Sequence, residues 1–392
     1  MTAATQVVRR CEIHAVGGRP ILDVARDVDD IVRAAEVAPQ TSTIERPPLV
    51  EVRLAGAAGP VARVMGSLAK VEGTRIRHDT LKVRRDGGNA PVYPDPDAGV
   101  RIGADSVPAG EGVPVRVAIV DSGLMVDHPA FEGHLWKGEG GIHGKQFIEG
   151  ERDDDIRDQD GHGTLLAGTI LAAAVDAPVK LMVAKFFDAA HPAQPRNAAA
   201  AIDFAVRQTA QIIVLAWDVG IGSVELKQVF DNACERALVV IAAGNYGSDN
   251  DLRDGRTWAR APVRYAQDHR ASTIVVMATD GVDEKAWFSN YGRESVDLAA
   301  PGFNTTSTRR AVSRGPRDAP PRYRTHSGTS GAAAYVAGAA ALLMSRYPRL
   351  NVEQVKRCLV KSVDELPGLK CAARGRLNVA AALRRAAQEA AS

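Results

Sequence analysis

Five near-continuous apolar runs, each set off from the next by a stretch of helical periodicity, constrain this chain more than anything else in it. They are Val115–Val120, Val179–Lys185, Ile212–Ala216, Leu238–Ala243 and Ser272–Ala278. A strand that is apolar on both faces has to be covered on both faces, and strands that alternate with helices pair in parallel. Helices are expected near His162–Val175, Arg196–Gln208, Leu226–Arg236, Ser330–Arg346 and Val352–Ser362. The expected fold class is α/β, a doubly wound and mostly parallel sheet with helices on both faces, spanning residues 113–392.

Residues 1–85 read differently, as a small α+β domain. Val7–Val16, Leu49–Leu54 and Ile76–Val83 suit strands. Ile21, Val24, Val28, Ile31 and Val32 recur at helical spacing after Pro20, and Val61, Val64, Met65 and Leu68 mark a second helix. Residues 86–112 are rich in Gly, Pro and Asp and are expected to be a linker.

With 392 residues, 45% of them hydrophobic, the chain can bury a sizeable core. A net charge of +2 gives no case for nucleic acid or an anionic membrane as partner. No apolar run approaches the roughly 18 residues needed to span a bilayer. Cys11, Cys234, Cys358 and Cys371 are widely spaced with no C-x-x-C pair. They are expected to be mostly reduced core residues, with a Cys358–Cys371 bridge as the lesser alternative. The first ten residues, MTAATQVVRR, carry their charges after the apolar residues and lead into no long apolar segment. The expected localisation is therefore cytoplasmic.

Three short motifs carry chemistry: Val117-Ala118-Ile119-Val120-Asp121-Ser122-Gly123, Gly161-His162-Gly163-Thr164 and Ser327-Gly328-Thr329-Ser330-Gly331. Acyl transfer to a serine needs a hydroxyl, an imidazole to take its proton and a carboxylate to fix the imidazole's tautomer. Asp121 ends an apolar strand, where open α/β sheets place their active sites. His162 lies between two glycines at the start of an apolar helix. Ser330 opens a helix of very small residues that can be buried deeply. Taken singly, each has a blander reading: Asp121 as a turn cap, His162 as a loop residue, Ser330 as a helix cap.

Together, in the order Asp, His, Ser, they resemble the subtilisin-like serine proteases. Phe288-Ser289-Asn290-Tyr291-Gly292, Ala300-Pro301-Gly302 and Gly375-Arg376-Leu377-Asn378-Val379 add to the resemblance, which covers about Val113 to Ala387. It implies a serine endopeptidase with Ser330 as nucleophile, His162 as general base and Asp121 orienting His162. It also implies that Asn245, in Ala243-Gly244-Asn245, donates to the oxyanion, and that Ala216, Trp217, Asp218, Ala243 and Gly244 line the substrate groove. No cofactor and no metal are expected, and the partner is a polypeptide or peptide substrate. Family members often carry an N-terminal domain of this size that blocks the groove, so residues 1–85 are expected to be a propeptide-like intramolecular inhibitor, with a permanent docking domain that never enters the groove as the alternative.

The pattern also departs from the family. Gly331 stands where Met is usual, Ala334 where Pro is usual and Leu165 where His is usual. Ala216-Trp217-Asp218 replaces the usual Ser-Leu-Gly, which implies restricted specificity. The chain after the His162 helix is too short for the family's calcium-binding loop. Two rivals remain: a non-catalytic peptide-binding pseudoprotease, and a peptidase or transpeptidase dedicated to one peptide precursor. The acidic run Glu149 to Asp155 reads as a solvated loop with some capacity to attract basic substrates. His128, His134 and His143 read as loop residues without metal spacing, and His326 is left without a role.

Overall fold

The computed structural model describes residues 6–15, 38–45, 48–57, 74–84, 96–252, 260–308 and 323–391, with side chains from Ala98 onward. It divides into two compact units, Met1–Val92 and Tyr93–Ser392.

The first unit contains β1 (Gln6–Ala15), β2 (Ala38–Glu45), β3 (Pro48–Ala57) and β4 (Thr74–Arg84). They form an antiparallel sheet in the order β2-β3-β1-β4. Three of these strands match apolar stretches in the sequence. The strand β2, APQTSTIE, does not: its sequence is polar, and it lies at the sheet edge. The two helices expected from Pro20 and Val61 lie outside the described residues.

Within the stretch expected to be a linker, Pro96–Arg101 is a helix, α1, and Ala104–Ser106 a turn of 3₁₀-helix. Ala98 and Ile102 are buried in the core, and the Ile102 carbonyl accepts from the Val379 N–H at 2.7 Å. A stretch dominated by Gly, Pro and Asp hid these two apolar anchors from the sequence.

The elements that follow are β5 (Val115–Asp121), β6 (Gly144–Gln146), α2 (His162–Ala174), β7 (Val179–Lys185), α3 (Pro195–Arg207), β8 (Ile212–Leu215), α4 (Val224–Arg236), β9 (Leu238–Ala242), α5 (Val263–Ala266), β10 (Thr273–Thr279), β11 (Leu298–Pro301), β12 (Thr305–Thr308), β13 (Tyr323–His326), α6 (Thr329–Arg346), α7 (Val352–Val360), β14 (Asp364–Glu365), β15 (Gly375–Arg376) and α8 (Val379–Ala391). Nine strands form one sheet in the order β14-β15-β11-β10-β9-β8-β5-β7-β6, parallel except for the β14–β15 pair. The chain leaves β5 toward β7 and then returns to add β8 on β5's other side. The strand order therefore reverses at β5, the place where open α/β sheets bind ligands.

Alternation along β5 explains why its run is apolar throughout. Val115, Val117 and Ile119 face one core, whereas Ala118 and Val120 face the other. The first core is closed by α2 and α6, the second by α3 and α4. Small residues let α6 approach α2 closely: a Cβ on Gly338 would come within 2.2 Å of the Ile170 carbonyl oxygen. Each fully buried aliphatic side chain in these layers contributes about 1.5–3 kcal/mol of burial. Cys234, Cys358 and Cys371 are buried free thiols, so Cys358 and Cys371 do not pair.

Candidate active site

Asp121 is the last residue of β5 and is fully buried. Its Oδ1 accepts from the Ser122 N–H at 2.8 Å and pairs with His162 Nδ1 at 2.8 Å. His162 begins α2, one residue before Gly163, at which a Cβ would lie 2.2 Å from the Gly123 carbonyl oxygen. Only glycine lets the histidine turn pack this tightly against the aspartate turn. The His162 side chain keeps 27% of its surface exposed, so its ring can meet a substrate. Burial opposes the charged imidazolium, but the charge and hydrogen bond of Asp121, with Asp160 and Asp158 behind it, outweigh that and raise the pKa above the ordinary histidine value. An imidazole so placed is held as a proton acceptor whose charged form is stabilised.

Ser330 lies in the first turn of α6, and its Oγ donates to the Ala216 carbonyl oxygen at 3.1 Å. Asn245 follows β9. Its Oδ1 accepts from both the N–H and the hydroxyl of Thr329, each at 2.9 Å. With Oδ1 so engaged, Asn245 is left to present the amide nitrogen as donor. A methyl group placed on Gly328 would lie 3.5 Å from Asn245 Nδ2, 3.8 Å from the Ser330 backbone N and 3.9 Å from Ser330 Oγ. Two donors and a hydroxyl thus border one small space, an arrangement able to hold a developing oxyanion beside a nucleophile.

The five expected groove residues come together in one cavity of about 160 Å³ that Ser330 and Asn245 also line. Its inner wall is apolar, with Ala216, Ala242, Ala243 and Val263. At its rim Asp218 Oδ2 accepts from the Tyr246 hydroxyl at 2.7 Å, Oδ1 pairs with Arg260, and the Arg260 guanidinium lies 5.3 Å from the Tyr246 ring centroid. Trp217 is anchored by Nε1 donating to the Val120 carbonyl at 2.7 Å, with its ring edge-on to Phe186. That anchor ties the groove segment to the strand bearing Asp121.

Sequence reasoning gave His326 no role, yet its ring lies where a side chain at position 331 would start. A Cβ on Gly331 would come within 2.5 Å of His326 Nε2. Burial, reinforced by the charges of His162 and Arg324, pushes the His326 imidazole down to about 3, so it is neutral at working pH. The replacement of Met by Gly331 was the available signal, because a vacated side-chain volume must be filled by something. Asp158 was also missed. Of the remaining signals, the acidic run is largely neutralised by its own cations, in the pairs Lys145–Asp153, Arg152–Asp154, Arg157–Asp155 and Arg196–Glu149. Among the described residues no group of three or more His, Cys, Asp or Glu could hold a metal ion.

Residues 112–382 match the model of the subtilase family of peptidases. The chain belongs to the subtilase family. This subtilase is 31% identical to Subtilisin DY of Bacillus licheniformis over 291 residues, covering 72% of this chain and 96% of that relative. It is 32% identical to the "Extracellular serine proteinase" of Thermus sp. (strain Rt41A), over 64% of this chain and 55% of that protein. Among solved structures it superposes on a lanthipeptide protease with a TM-score of 0.58 at 23% identity, covering 69% of this chain and 88% of the other. A protease of Pseudoalteromonas arctica also gives a TM-score of 0.58, at 22% identity, over 75% of this chain and 94% of the other. The subtilase is a serine endopeptidase, acting on peptide or protein substrates. Among the described residues no helix is long and apolar enough to cross a membrane.

Proposed function

We propose that this endopeptidase works through Ser330, His162 and Asp121, with the oxyanion held by Asn245 Nδ2 and the Ser330 backbone N–H. The observation that carries the reading is the convergence of Asn245 Nδ2, Ser330 N and Ser330 Oγ on one space, backed by the His162–Asp121 pair. Ser330 Oγ turns from the Ala216 carbonyl to attack the scissile carbonyl, and its proton passes to His162. Asp121 holds the imidazole in the tautomer whose other nitrogen is free to accept. The same proton then goes to the leaving amine, and water repeats the cycle on the acyl-enzyme. Fluorophosphonate labelling of the full chain tests this. Labelling confined to Ser330, and lost in Ser330→Ala, is expected. An unlabelled wild-type protein would favour the non-catalytic peptide-binding rival.

Restricted specificity follows from the rim. Asp218, Arg260 and Tyr246 cross-link polar side chains at the mouth of a cavity whose inner wall is apolar, which favours an uncharged side chain of moderate size before the cut. Cleavage of a proteome-derived peptide library would reveal that preference, and a single dominant precursor sequence would favour the dedicated processing enzyme. Residues 1–85 are proposed to serve as an intramolecular inhibitor, given their strand content and their place ahead of the peptidase unit. Full activity of the catalytic unit when saturated with the purified N-terminal piece would count against this. A cytoplasmic location is proposed, in accord with the three buried free thiols among the described residues; one relative is named extracellular, and recovery of the protein outside the cell on fractionation would count against it.

A further inference from the structure

Asp158 stands four residues before His162 and is only 2% exposed. Its Oδ1 accepts from Ser122 Oγ at 3.0 Å, the Asp160 N–H at 3.1 Å and the Gly161 N–H at 2.6 Å. Its Oδ2 accepts from the Thr164 N–H at 2.8 Å and the Thr164 hydroxyl at 2.6 Å. The partners radiate further. Ser122 Oγ accepts from the Gly163 N–H at 3.0 Å, and Thr164 Oγ1 accepts from the Met125 N–H at 3.1 Å. One carboxylate thereby joins the residue that follows Asp121 to the residues on both sides of His162. All five hydrogen bonds come from uncharged donors, and among the described residues no cation forms an ion pair with this carboxylate.

We infer that Asp158 is a positioning residue for catalysis: it fixes the spacing of Asp121 and His162, and its uncompensated charge favours the imidazolium that forms when Ser330 gives up its proton. The inference rests on His162 being the base. A helix cap with no catalytic consequence would explain the bonds to Gly161 and Thr164. It would not require the bond to Ser122, which reaches across to the aspartate turn. Other charged groups also face His162. Asp121 from β5 and Asp160 from the preceding loop add negative charge, while neutral His326 from β13 adds none. Removing Asp158 therefore takes away one of three carboxylates acting on the imidazole.

The test is the rate of fluorophosphonate labelling of the full chain against pH, with saturation separated from maximal rate. In Asp158→Asn the maximal rate should fall about 10-fold or more, since small displacements of reacting groups carry costs up to about 10²-fold. The half-saturating probe concentration should stay unchanged, because Asp158 is not among the residues of the substrate cavity. The acid limb should move to lower pH by about half a unit, the direction expected when a nearby negative charge is removed. Ser122→Ala and Thr164→Val keep the charge and break the brace. They should lower the maximal rate without moving the limb, and they keep the question open to test if Asp158→Asn fails to fold. A lower melting temperature with unchanged maximal rate and unchanged acid limb in these variants would overturn the inference. Failure of the wild-type protein to label at Ser330 would instead overturn the proposed function on which it rests.

Discussion

The helix that carries the proposed nucleophile and the rim of the neighbouring cavity are built on opposite principles. In α6, 17 of the 18 residues are buried, and Arg346 at the far end is its one charged residue. The rim consists of an ion pair and a phenol at the surface, with Asp218 and Arg260 side chains 24% and 48% exposed and Tyr246 58% exposed. Change in the helix must leave a cavity or a clash. Change in the rim trades one exposed polar contact for another, worth about 0–1 kcal/mol. The contrast teaches that the proposed machinery is held by packing, whereas the proposed selectivity rim is made of surface groups that can vary without unsettling the core.

The largest effect should come from the helix. Ser330→Ala removes a single oxygen from a buried position, so the melting temperature should hardly move. Turnover should fall by on the order of 10⁶, the magnitude known for subtilisin itself. A variant retaining substantial turnover would break the assignment of the machinery to α6. Next comes Asn245→Ala, which strips one oxyanion donor and the acceptor for Thr329. A loss of about 10²–10³ in kcat is expected, again by the measure of subtilisin, with some loss of stability from the orphaned Thr329 groups.

The pH profile sharpens the same side of the comparison. As the proposed base, His162 would act only when deprotonated, and its pKa is raised. The acid limb of kcat/KM should therefore lie above the ordinary histidine value of about 6.5, with activity rising as pH rises through it. Asp121→Asn should shift that limb downward. A wild-type limb below 6.5 would contradict the geometry of the pair.

Smaller effects belong to the rim. Arg260→Ala and Asp218→Asn should change which residue is preferred before the cut, measured on a peptide library. Both should leave the rate of fluorophosphonate labelling within a few-fold of wild type, because neither touches the reacting atoms. Equal losses across all substrates would erase the distinction between machinery and rim. Smallest of all, chelation with EDTA should leave the melting temperature unchanged. The α2 helix runs from His162 to Ala174 without interruption, where the family usually places a calcium loop. A large drop reversed by calcium would refute that reading.

Much of this was legible in the sequence because burial leaves a compositional trace. The five apolar runs became β5, β7, β8, β9 and β10, since strands covered on both faces admit few polar residues. The motifs around Asp121, His162, Asn245 and Ser330 stood out because each combines a reactive side chain with glycine or very small neighbours. What stayed hidden were features made by contact between distant segments. The 3-residue strand β6 and the 2-residue strands β14 and β15 are too short for periodicity to register. Ala98 and Ile102 were masked by the glycines and prolines around them. Asp158 lies just past the acidic run Glu149 to Asp155 and carries no motif of its own, and only the fold shows that its partners include Ser122, 36 residues away. The cross-link of Asp218 with Arg260 and Tyr246 likewise depends on three segments that spacing alone cannot join.

One consequence of the depth of α6 concerns time rather than energy. The backbone amides of residues 334–345, in the body of α6 behind Ser330, belong to a helix enclosed by the sheet and by α2. Amides in such a place exchange with solvent deuterium only when the surrounding layers separate, which makes them reporters of global rather than local opening. The amides of Asp218 and Tyr246, outside that enclosure at the cavity rim, should exchange sooner. The enzyme should therefore lose its proposed machinery in one step with its fold, while its selectivity rim fluctuates continuously beforehand.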